Sequence, residues 1–417
     1  MEIQNKTMAV NCLACGAELS FDPRLGKLHC EFCDSEFTVE EIEEHYKKKE
    51  EQLAQEGVQQ SSPGENSEWG EDADNMRAYS CSSCGAELIA DENTSAMRCP
   101  YCGNNTIVPA SFSGALRPDC MIPFSFTKEQ AEKRYSDYYK SKKLLPKSFA
   151  ENNHVEEIQG VYVPFWLFSG TASVDARYEA YDRTDTPDEE IRKYYSAERA
   201  GHVSFKDIPV DASKRMPDDL MDSVEPYKHE GMKDFSMSYL PGFMAERFNV
   251  SEDEDKKRAQ DRIENTAKAL AKKTVHHDHV KALSENVDVE YSKTGYALLP
   301  VWYLVTKWND KAYRFAMNGQ TGAFIGDLPI DTGKMVLRVI IWAVIAAVIA
   351  YFLFGDGDYI FIIAGIISGM IGGATGYASM KPVARASRAD SYINDPMTVT
   401  KSEDVYTRTV RRQKNRQ

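Results

Sequence analysis

Two stretches of the chain are almost free of polar positions. Residues 336–354 hold one charge, Arg338, and residues 359–380 hold none. As helices at 1.5 Å per residue they would span about 28 and 33 Å, against a bilayer hydrocarbon core of about 30 Å. Only Gly355-Asp356-Gly357-Asp358 separates them, so the pattern predicts a C-terminal transmembrane helical hairpin over 335–380. Gly365, Gly369, Gly372, Gly373 and Gly376 give the second helix a small-residue face. That face suits packing within the hairpin or a homo-oligomer.

Between residues 120 and 333 the pattern alternates helix and strand. Thr127-x-x-Gln130 and Ser251-x-x-Glu254 are capping boxes, opening helices that run to about Lys143 and Lys273. Apolar runs at 160–168 and 297–304 read as strands, and both contain Pro-x-Trp. A strand at 314–317 ends in the turn Asn318-Gly319-Gln320-Thr321-Gly322. The expectation is a duplicated α+β central domain with helices on antiparallel sheets and Trp166 and Trp302 in its core. Thr38-x-x-Glu41 opens a charged helix over 38–56, and 57–76 is too polar to bury a core and reads as a flexible linker.

The cysteines fall into two copies of one spacing. Cys12-x2-Cys15-x14-Cys30-x2-Cys33 is repeated 69 residues later as Cys81-x2-Cys84-x14-Cys99-x2-Cys102. The same shift superimposes Gly16-Ala17-Glu18-Leu19 on Gly85-Ala86-Glu87-Leu88, and Phe32 on Tyr101. Each pair places two thiolates on a tight turn, and a β-hairpin between pairs completes a tetrahedral shell with Zn–S bonds of about 2.3 Å. Four cysteines leave no open coordination position, so the expectation is two structural Zn2+ ions in two small β zinc ribbons. The ninth cysteine, Cys120, reads as an inert thiol.

The fold class expected is therefore multidomain. It comprises zinc ribbon 1 (8–38), a charged helix and linker (39–76), zinc ribbon 2 (79–110), the α+β domain (120–333), the transmembrane hairpin (335–380) and a basic cytoplasmic tail (381–417).

Charge adds orientation. The 417 residues carry a net charge of −14, distributed as −19 over 1–333, 0 over 334–380 and +5 over 381–417. The ribbons are themselves acidic, at −3 and −2. Acidic modules repel phosphate, so nucleic acid is disfavoured as a partner. Lys334 and Arg338 flank the first apolar run and Lys381, Arg385 and Arg388 follow the second, which places both termini in the cytoplasm of a multi-pass inner-membrane protein. No apolar run follows Met1, so no secretory signal is expected. That agrees with reduced, metal-binding thiols. The chain contains no Gly-x4-Gly-Lys-Ser/Thr, His-Glu-x-x-His or Gly-x-Ser-x-Gly motif, and His276-His277-Asp278-His279 reads as a solvated helix end.

The paired cysteine modules, Pro164-Phe165-Trp166, Leu299-Pro300-Val301-Trp302, Asn318-Gly319-Gln320-Thr321-Gly322 and the terminal apolar runs together resemble the bacterial TFIIB-type zinc-ribbon-containing membrane proteins. The resemblance implies zinc, an inner-membrane location, and flotillin-like or phage-shock-type membrane proteins as partners. The function expected is a non-enzymatic, membrane-anchored zinc-ribbon adaptor or scaffold docking protein partners at the lipid bilayer. The alternative is a membrane-tethered nucleic-acid-binding zinc-ribbon protein.

Overall fold

A computed structural model describes residues 12–14, 19–30, 33–42, 44–45, 76–81, 86–91, 99–101, 107–110, 116–151, 158–240, 242–309, 311–354, 360–378, 380 and 386–413. The predicted linker and most of the charged helix that precedes it lie outside these residues.

The first cysteine module is a three-stranded antiparallel sheet: β1 (Ser20–Asp22), β2 (Lys27–His29) and β3 (Glu36–Phe37). The other twelve strands form one sheet. They are β4 (Met76–Cys81), β5 (Glu87–Asp91), β6 (Ile107–Ala110), β7 (Cys120–Met121), β8 (Gln159–Asp185), β9 (Glu189–Asp211), β10 (Lys233–Asp234), β11 (Met244–Glu246), β12 (His279–Trp308), β13 (Lys311–Asn318), β14 (Phe324–Gly326) and β15 (Ile393–Gln413). The helices are α1 (Lys128–Lys140), α2 (Lys147–Glu151), α3 (Asp218–Val224), α4 (Glu252–Lys273), α5 (Thr332–Phe354) and α6 (Ile360–Ala378).

The spine is the antiparallel pair β8–β12, which runs from His279↔Tyr181 to Tyr303↔Gln159 with register shifts between Ala282 and Ser284 and between Tyr291 and Lys293. Each spine strand changes partner on its outer side at a proline. β8 pairs β11 through Tyr162 and β9 from Phe165, with Pro164 between. β12 pairs β7 through Leu298 and β13 from Val301, with Pro300 between. Proline has no N–H to donate, so it fits the gap where a ladder is handed over. The proline carbonyls are still used: Ala212 N–H donates to Pro164 O and Gly319 N–H to Pro300 O. These handovers let one sheet branch toward β5, β4 and β6 in one direction and toward β9 and β15 in another.

α4 covers the long arm of the sheet. Its buried Ile263, Ala267 and Ala271 share hydrophobic clusters with Ala172, Val174 and Ala176 of β8. Small residues on both surfaces let helix and sheet approach closely. Beneath α4 lies a charged seam. Arg258 Nη2 donates to Asp211 Oδ1 at 2.9 Å and Asp222 Oδ1 at 3.1 Å, with Asp255 at 3.6 Å and Asp218 at 3.7 Å from Nη1. Arg262 forks onto Glu225 at 2.6 and 3.1 Å.

The expected fold class needs correction on three points. The sheet is mixed, because β11–β8 and β12–β7 are parallel, and the strands of the second cysteine module belong to it rather than to a separate ribbon. Residues 393–413, expected within a polar tail, form β15, which pairs with β9 along its length. The predicted transmembrane hairpin is also overturned. Among the described residues one helix, Thr332–Phe352, is long and apolar enough to cross a membrane. The second apolar run was expected to continue to Met380. Met380 is instead buried in the main core, and Gly376 lies against Leu144 of the sheet domain. The glycines of α6 turn toward α5: Gly365 faces Ala343, Gly369 faces Val339 and Gly372 faces Trp342. The chain leaves the sheet after β14 and rejoins it as β15, so both flanks of α5 and α6 meet the same sheet.

Candidate metal centre and its seam with the sheet

The first cysteine module is folded by local hydrogen bonds. Leu25 and Gly26 N–H donate to Asp22 O, closing the β1–β2 turn, and Gly26 takes φ +64° there. After β2, Cys30 N–H donates to Ser35 O and Asp34 N–H returns to Cys30 O. This tight turn carries Cys30 and Cys33. Ala14 N–H donates to Cys12 Sγ at 3.4 Å, so the Cys12 turn also presents its sulfur inward.

Cys12, Cys30 and Cys33 place their sulfurs within 4.8 Å of one another, with Cys12 Sγ and Cys33 Sγ 3.5 Å apart. The S···S edge of a Zn–thiolate tetrahedron with bonds of about 2.3 Å is about 3.8 Å, whereas a disulfide is about 2.05 Å. The spacing suits thiolates around an ion, and none of the three cysteines is in a disulfide. Cys12 and Cys30 are buried, over a floor that includes Leu19, Leu28 and Ile42. The group can hold a metal ion. Cys15, the fourth ligand expected, lies outside the described residues.

Of the second quartet, Cys81 and Cys99 are each 1% exposed, and Cys84 and Cys102 lie outside the described residues. Cys81 N–H donates to Ala86 O, as Cys30 N–H does to Ser35 O in the first module. This module is bound to the sheet by a polar seam that the sequence reading did not identify. Tyr101 O–H donates to Glu246 Oε2 at 2.6 Å, and Ser213 O–H donates to Glu246 Oε1 at 2.8 Å. Arg215 Nη1 lies 3.6 Å from the same carboxylate, which is fully buried on β11. One signal was available. Tyr101 aligns with Phe32, so its hydroxyl is the added group, and a buried tyrosine hydroxyl needs a partner.

Burial pushes the Glu246 carboxyl up from its ordinary 4.5 to about 7, against the pull of Tyr101, Ser213 and Arg215. The folded state therefore keeps a proton that the unfolded chain releases. The stability this confers is complete below pH 4.5 and is lost as the pH rises through 7, a change of about 3 kcal/mol. Wild type is expected to lose that much relative to Glu246→Gln between the two limits, read by denaturant unfolding across pH. Parallel curves for the two proteins would show that Glu246 is not held protonated.

The remaining candidates are scattered. His277 Nδ1 lies 3.0 Å from Asp182 and its ring stacks on Tyr195, while His279 stacks on Tyr181, so the histidine run does not converge. Cys120 is half-buried on β7, and burial raises its thiol to about 12, which keeps it protonated and unreactive.

No protein-family model matches the chain, and no solved structure does. Over 337 residues, 79% of this chain, it is 30% identical to the uncharacterized protein YdjG of Bacillus subtilis strain 168, covering 92% of that protein. Identity at that level over nearly the whole relative leaves one conclusion: the chain belongs to the same family as Bacillus subtilis YdjG.

Proposed function

We propose that the chain is a non-enzymatic zinc-ribbon adaptor held at a membrane. Zn2+ bound by Cys12, Cys15, Cys30 and Cys33, and a second ion by Cys81, Cys84, Cys99 and Cys102, fix the two modules. The sheet presents them to protein partners on the cytoplasmic side, where thiols remain reduced. α5 provides the attachment.

The observation that carries this reading is the uncovered apolar surface of α5. Ile340, Ile341, Val344, Ile345, Val348 and Ile349 are each 47–55% exposed, and Phe352 is 81% exposed. Contiguous apolar area on that scale needs lipid or a partner to cover it. It is joined to the sheet that carries the second cysteine module. Zinc is favoured by the donor set, four soft thiolates in each expected shell.

Fractionation tests the attachment. The full chain is expected in membranes after an alkaline wash, and the Ile345→Arg/Ile349→Arg variant in the soluble fraction. Covalent cross-linking in those membranes is expected to recover a membrane protein in stable ratio to the chain. Wild type free in the soluble fraction, or no cross-linked membrane protein, contradicts the reading.

A further inference from the structure

The sheet contains a second feature, which depends on neither the metal nor the attachment. Opposite Ser169 of β8, the partner strand β9 carries one extra residue, a bulge at Lys206 and Asp207, and Asp207 adopts φ +50°. A non-glycine residue in the left-handed region is strained, and such strain persists where surrounding bonds enforce it. Here they do. Ser169 O–H donates to Asp207 Oδ1 at 3.2 Å, Asp207 N–H donates back to Ser169 Oγ at 2.9 Å, and His229 Nδ1 lies 2.8 Å from Asp207 Oδ2. Both carboxylate oxygens are thus engaged, and the imidazole is fixed by one nitrogen.

This arrangement borders a cleft of about 400 Å³. Pro226, Met232 and Ile393 give it an apolar floor over the buried Leu167 and Leu299, and Lys206, Lys228 and His229 stand around it. Among the described residues neither lysine has an ion pair, since Asp207 is committed to His229 and Ser169. Glu230 is the one other carboxylate on the lining. The far wall, Ser391–Asn394, comes from the start of β15 and the two residues before it. A concave site with an apolar floor and converging donors is the usual form of a small-molecule pocket.

We infer that this cleft binds a phosphate-bearing amphiphile. The phosphate sits between Lys206, Lys228 and the free edge of His229, and its apolar body lies on the floor. The phosphate can belong to a membrane lipid or to a soluble ester, since the recognition chemistry is the same.

The test uses the full chain in neutral detergent with 1-naphthyl phosphate as the probe, followed by 31P line broadening and naphthyl fluorescence. Saturable binding is expected, at least tenfold weaker in Lys206→Gln/Lys228→Gln and tighter in Glu230→Gln. All three positions are exposed, so folding is expected to survive, with circular dichroism as the check. 1-Naphthol and inorganic phosphate are each expected to bind at least tenfold more weakly. Equal binding of 1-naphthol removes the anion requirement, and equal binding of inorganic phosphate removes the apolar one. Unchanged binding in the lysine variant places the probe elsewhere. Each of these three results overturns the inference. In nanodiscs, a thermal shift with phosphatidate over phosphatidylcholine that the lysine variant lacks identifies a lipid source. Probe binding without that shift identifies a soluble ester.

Discussion

Cys30→Ser is expected to halve the zinc content of the purified chain and to unfold the first cysteine module. The three strands β1, β2 and β3 contain eight residues in all, too few to hold a sheet by burial alone. Structural zinc in such modules contributes on the order of 10–16 kcal/mol at neutral pH. Serine retains the shape and loses the thiolate. Cys30 is the most informative position because it is fully buried and its backbone anchors the turn that carries Cys33. Proteolysis after Lys27, at the end of the β1–β2 turn, is expected to become fast in the variant and to remain slow in wild type. Full metal content with unchanged cleavage in the variant would remove Cys30 from the metal shell.

Arg258→Met is expected to destabilise the sheet domain by about 3–5 kcal/mol near neutral pH, because it leaves buried carboxylates without a counter-charge. The side chains of Asp211, Asp222 and Asp255 are 0, 4 and 3% exposed. Burial already raises Asp211, and lifts Asp255 to about 7, with Arg258 opposing the rise in both. Without the guanidinium the folded state favours their protonated forms more strongly. The part of the deficit carried by Asp255 is therefore expected to be largest above pH 7 and to shrink as the pH falls to about 7, where the carboxyl is protonated in both proteins. Denaturant unfolding at two pH values measures both effects. A loss under about 1 kcal/mol would mean that the seam is no more than a surface ion pair.

Two helices of the sheet domain, α1 and α4, were legible because their signals are local, whereas the short α2 and α3 were not. The Thr127–Gln130 box caps α1 with both reciprocal bonds, and Ser251 accepts the Glu254 N–H at the start of α4. The strands were legible only where both faces are buried. The 160–168 run is the inner third of β8. Beyond it, Ala172, Val174, Ala176 and Tyr178 point inward while Ser173, Asp175 and Arg177 point to solvent. Small and charged residues in alternation give a weak hydrophobic period, so the outer strand did not register.

β15 had even less to reveal. Val399, Val405, Tyr406 and Val410 are 39–59% exposed, and the strand is held by its ladder to β9 and by cross-strand pairs. Arg408 reaches Glu179 at 3.0 Å, and the buried Arg199 reaches Asp404 at 2.7 Å. Edge pairing of this kind leaves no hydrophobic pattern in one dimension. The convergence of Cys12, Cys30 and Cys33 was legible because a metal shell demands fixed intervals. The Glu246 seam and the Asp207 cleft were not, because each joins residues far apart in sequence.

The central claim is that eight cysteines grip two ions. Native mass spectrometry of the full chain, purified without added metal, tests it most directly. The account predicts two zinc ions per chain and no disulfide bond. A metal-free chain, or one whose paired cysteines are oxidised to disulfides, would contradict it.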